Sequence, residues 1–129
     1  MFKYDKNTKQ IEITRGDTAS FQISAKDEEG KPYTFEQGSI VRLKITEKNN
    51  ENVVVFDKDI DIEEDMLKVD VTLTSEETKI GCVINQPTTY WYEISVIYGN
   101  IVQTIVGYDK NGAKELILYP EALEVVNNG

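Results

Sequence analysis

Tyr90-Trp91-Tyr92-Glu93-Ile94-Ser95-Val96-Ile97-Tyr98, then Gly99-Asn100, then Ile101-Val102-Gln103-Thr104-Ile105-Val106-Gly107-Tyr108 is the stretch that decides the fold. Aromatic and β-branched residues dominate both runs, and such side chains suit a pleated, half-buried surface. The two-residue Gly-Asn link between them suits a primed hairpin turn. Tyr90, Tyr92, Ile94, Val96 and Tyr98 fall on one face of the first strand, and Trp91, Glu93, Ser95 and Ile97 on the other. One of these faces must be core. The other is free to be an interface.

Upstream of this hairpin the same period of two recurs, as expected for strands with one buried face. Ile11 and Ile13 alternate with Glu12 and Thr14, and Phe21, Ile23 and Ala25 with Gln22, Ser24 and Lys26. Val41, Leu43 and Ile45 alternate with Arg42, Lys44 and Thr46, and Leu67, Val69, Val71 and Leu73 with Lys68, Asp70, Thr72 and Thr74. Val53 to Ile62 reads as a further strand with Val54, Phe56, Ile60 and Ile62 inward and a bend expected near Lys58. Turn chemistry separates the runs: Asp27 to Pro32 around Gly30, the solvated loop Lys48 to Asn52, and Asn111-Gly112. Ser75-Glu76-Glu77-Thr78 predicts about one helical turn near 75–80, with Ser75 as its cap. Leu116 to Leu118 reads as an eighth strand, and Pro120 to Val126 fits either a short helix or a last edge strand.

The pattern predicts one all-β domain over 1–129: an immunoglobulin-like β-sandwich of seven to eight antiparallel strands. A chain of 129 residues with 40% hydrophobic and 29% charged residues can form one core without disulfides or metal.

Composition narrows the chemistry. The net charge of −9 is the wrong sign for neutralising phosphates, so neither nucleic acid nor an anionic membrane is an expected partner. No apolar run approaches the roughly 20 residues of a spanning helix, and Met1 to Lys6 lacks the apolar centre of a secretion signal, which points to synthesis in the cytoplasm. The chain contains no histidine, which removes the usual general base and the usual transition-metal ligand. Gly-rich phosphate loops, nucleophile elbows and paired cysteines are missing too, so no catalytic residue and no cofactor is expected. Cys82, between Ile80-Gly81 and Val83-Ile84, reads as a small buried hydrophobe. Asp57, Asp59 and Asp61 would share a strand face about 7 Å apart. That spacing suits a hard cation, but a solvated face is the simpler reading and no metal is assigned. Arg15-Gly16-Asp17 spells the tripeptide that integrins read, yet is expected to be a corner, with Gly16 turning the chain and Asp17 capping toward Thr18. Trp91, Tyr98, Tyr108 and Tyr119 remain as candidates for partner or glycan contact, since aromatics supply flat binding area.

Several short motifs occur in a telling order: Ile11-Glu12-Ile13-Thr14-Arg15-Gly16-Asp17-Thr18, then Phe21-Gln22-Ile23, Glu76-Glu77-Thr78, Tyr92-Glu93-Ile94 and Gln103-Thr104-Ile105-Val106-Gly107. Over residues 11–107 the chain resembles the immunoglobulin-like N-terminal domain of baseplate upper proteins and related tail-fibre proteins from phages and prophages of Gram-positive bacteria. The resemblance implies a non-enzymatic virion part that anchors an appendage through protein–protein contact. Its implied partners are other phage structural proteins and further copies of itself. Residues 109–129 extend beyond the family's final strand, which fits a free-standing accessory protein or one domain of a longer protein. Two other functions suit the same composition: a carbohydrate-binding module for host-surface attachment that uses Trp91 or a nearby Tyr, and an acidic inhibitor of a host defence enzyme.

Overall fold

A computed structural model describes residues 1–82 and 84–121. Among the described residues there are nine strands and no helix: β1 (Phe2–Tyr4), β2 (Ile11–Thr14), β3 (Ala19–Ile23), β4 (Ile40–Glu47), β5 (Asn50–Asp61), β6 (Val69–Leu73), β7 (Thr88–Tyr98), β8 (Ile101–Val106) and β9 (Lys114–Tyr119). Seven of them form one sheet in the order β1-β2-β9-β7-β4-β5, with β8 also on β7, and β3 and β6 form a second. The chain is all-β, and its two sheets share one core.

Alternation explains which side chains meet. From the larger sheet come Ile11, Ile13, Val41, Leu43, Ile45, Ile94, Val96, Leu116 and Leu118, and from the smaller one Ala19, Phe21, Ile23, Val69, Val71 and Leu73, all buried in a single cluster. Phe21 bridges the layers by stacking on Tyr4, ring centroids 4.7 Å apart. Phe35, fully buried in the long β3–β4 connection, exchanges backbone hydrogen bonds with Met66 of the β5–β6 connection and tethers the two together.

The sheet is not purely antiparallel, as the sequence pattern had implied, because β2 runs parallel to β9. Alternation fixes which face is buried but carries no information on direction. β8 and β9 lie one after the other along the same edge of β7, β8 opposite Ile94–Tyr98 and β9 opposite Thr88–Tyr92. They are one long strand interrupted by an excursion at 107–113, so the strand expected to reach Tyr108 ends at Val106. The β4–β5 link is tighter than the expected five-residue loop, since Glu47 pairs with Asn50 across Lys48-Asn49. The irregularity anticipated near Lys58 sits instead opposite Ile45–Glu47, while Lys58 pairs in register with Leu43.

Residues 75–78 make a single turn in which the Thr78 amide donates to the Thr74 carbonyl. Its cap is Thr74, one residue before the expected Ser75: the Glu77 amide donates to Thr74 Oγ1 and the Thr74 amide to the Glu77 carboxylate, a reciprocal box. Cys82 is exposed rather than buried, because the chain has left the sheet there, while Ile80 before it is buried. Pro120 and Glu121 are in neither helix nor strand, and the rest of the ambiguous 120–126 segment lies outside the described residues.

Candidate functional site

The outer face of the larger sheet is polar and cross-linked by charge. Arg42 donates two hydrogen bonds to Asp59 at 2.7 and 3.0 Å, Lys44 meets Glu93 at 3.3 Å, and Lys48 meets Glu115 at 3.9 Å. Arg42 holds the Asp59 carboxyl below its ordinary range. Asp57, Asp59 and Asp61 are exposed, and Arg42 occupies the middle of their row. Among the described residues no three His, Cys, Asp or Glu side chains come together as a metal site.

Two departures from regular pairing flank one patch of this face. On one side the bulged start of β5 brings Glu51 and Asn52 over β4. On the other, the 107–113 excursion carries Tyr108 out of the sheet. A Cβ on Gly107 would lie 2.7 Å from Thr104 Cγ2, so glycine permits the close departure from β8. The excursion is closed by reciprocal backbone hydrogen bonds between Asp109 and Gly112. Lys114 meets the Asp109 carboxylate at 2.9 Å, and the Asn111 amide donates to it; together they depress its pKa. The loop is therefore ordered by its own polar contacts. Between these walls lies a cleft of about 260 Å³ whose floor includes Lys44, Thr46, Trp91 and Glu93.

Of the four aromatic candidates, the fold brings two together. Trp91 is half-buried in the floor and Tyr108, 76% exposed, stands in the wall. Tyr98 is at the far end of the β7–β8 hairpin, near Gly38. Tyr119 is on β9, where its hydroxyl donates to Glu12 at 3.1 Å, which raises its pKa. The Tyr92 row is the core face, and burial pushes the Tyr92 hydroxyl far up. Thr46 and Asn52 were not legible as site residues, because only the register with Trp91 and the β5 bulge places them there.

A second constellation joins two motifs about sixty residues apart in the chain. At the Arg15-Gly16-Asp17 corner, Gly16 has φ 91° and its amide donates to Thr78 Oγ1 at 3.0 Å. Thr78, itself 1% exposed, donates to the Asp17 carbonyl at 2.7 Å, and Ser75 donates to the Gly16 carbonyl at 2.6 Å. Arg15 is 7% exposed, donating to the Ile80 and Gly81 carbonyls and meeting Glu121. The tripeptide is thus a docked corner, with Arg15 turned inward. Comparison with known proteins finds no matching family model, no matching curated protein and no matching solved structure.

Proposed function

We propose that the chain is a non-enzymatic assembly module of a phage or phage-derived particle, an immunoglobulin-like domain that attaches part of a baseplate or tail fibre through protein–protein contact. The carrying observation is the docking of Arg15-Gly16-Asp17 on the Glu76-Glu77-Thr78 turn, about sixty residues away. These are two of the motifs on which the family resemblance rests, and their meeting in one hydrogen-bonded knot around the buried Thr78 supports reading them as one structural unit rather than chance tripeptides. Strand order supports the immunoglobulin-like reading. The run β9/β8-β7-β4-β5 corresponds to the G-F-C-C′ sheet of a variable-type sandwich, and β3-β6 to its B–E pair.

The contact surface in this reading is β8. Ile101 and Val102 are 60% and 63% exposed beside exposed Tyr98, and β8 pairs on β7 alone. No charge falls within Ile101–Val106 of a chain carrying −9 overall. Unprotected, uncharged strands at sheet edges are places where another chain docks. The test is reconstitution with the baseplate and tail proteins encoded beside the gene. Stable co-elution of the native chain, lost with Val102→Lys, supports the proposal; absence of any complex with the full set of tail proteins overturns it.

A further inference from the structure

We infer that the cleft between the β5 bulge and the 107–113 excursion is a binding site for a neutral pyranose, a reading that goes beyond the assembly role and does not depend on it. The cleft is a built feature. Bulges re-aim side chains beside functional sites, and here a bulge and a strand interruption converge on the patch that holds the chain's only Trp.

The chemistry of the lining selects the ligand. Thr46 is 4% exposed, lines the cleft, and its hydroxyl has no hydrogen-bond partner among the described residues. A buried polar group of this kind calls for an explanation, and a ligand hydroxyl supplies one. Trp91 and Tyr108 line the same space, and among the described residues neither ring stacks on another aromatic, so both offer flat apolar area to the C–H side of a sugar ring. Asn52 adds an amide donor and acceptor at the rim.

Charge disfavours anionic ligands. Lys44 and Glu93 neutralise each other at 3.3 Å, and Glu51 beside them disfavours phosphate or carboxylate ligands. Glu51 leaves the lining with one negative charge in excess, so a cation over the rings is the rival that the cationic probe tests. At about 260 Å³ the cleft falls below the ~300–1,000 Å³ of drug-sized sites, which suits a single ring.

As the only Trp, Trp91 reports directly on occupancy. Its fluorescence is to be followed while the full chain is titrated with neutral hexoses and N-acetylhexosamines, with glycerol phosphate and N-acetyl-lysine amide as anionic and cationic probes. The expected result is a saturable change with at least one neutral sugar, weakened tenfold or more by Tyr108→Ala and by Thr46→Val. Tyr108 is exposed, so its variant keeps the fold; circular dichroism and unfolding curves verify this for both. No saturable response to any neutral sugar, a response confined to the charged probes, or binding unchanged in both variants overturns the assignment.

Discussion

Thr78 shows how much a single buried hydroxyl can organise. It accepts from the Gly16 amide and donates to the Asp17 carbonyl, so its loss removes the partner of two part-buried backbone groups. Thr78→Val should cost about 1–3 kcal/mol, the usual penalty for such orphaned groups. Urea unfolding checks this as a lower midpoint at unchanged slope. Phe35→Ala, at a site with no exposure, should cost about 3–5 kcal/mol by the same measurement. Next to this knot, Lys58 and the Thr74 amide hold the Glu77 carboxyl below its ordinary range. A depressed folded pKa stabilises above the unfolded pKa, and that contribution disappears as pH falls through the folded one. Glu77→Gln should therefore be less stable than the native chain near neutral pH and converge with it in acid, read by unfolding curves across pH. Residue-scale features were the least legible. Cys82 sits among apolar neighbours, yet no strand runs there, so alternation does not apply and the thiol faces out.

At the scale of elements the turn of the β7–β8 hairpin was read to the residue, because the two-residue link leaves few alternatives, while the outer end of each strand was missed by two residues. Gly99 has φ 59° and Tyr98 pairs with Ile101 across it. Gly99→Ala should destabilise by about 1–2 kcal/mol, the cost of placing a Cβ in the left-handed region, measured as a fall in the thermal midpoint. Val102→Lys should change stability by less than about 0.5 kcal/mol, since the side chain is exposed, while abolishing docking through β8. Direction and interruption were not legible: a period of two reads the same for the parallel β2–β9 pair, and Gly107-Tyr108 looks like more of the strand that β8 leaves. The cap of the 75–78 turn was misplaced by one residue because Thr74 and Ser75 are both capable caps. Only the reciprocal bonds to Glu77 choose between them.

For the molecule as a whole, composition and alternation carried the all-β class and most core side chains, but not Ala19, Phe35 or Ile80, and Val54 and Leu67, on the apolar rows of the pattern, are exposed. They did not carry the cleft. It depends on which residues of distant strands face each other, and Thr46, Asn52, Trp91 and Tyr108 meet only after two irregularities have shaped the sheet. The proposed assembly role rests on the meeting of the corner and the turn, together with an uncharged strand edge on an acidic protein. Quantitative mass spectrometry of purified tailed particles from the producing cells tests it most directly. The account predicts this chain in the particles at copy numbers comparable with the baseplate subunits; recovery only in the unassembled fraction, with intact particles devoid of it, would contradict it.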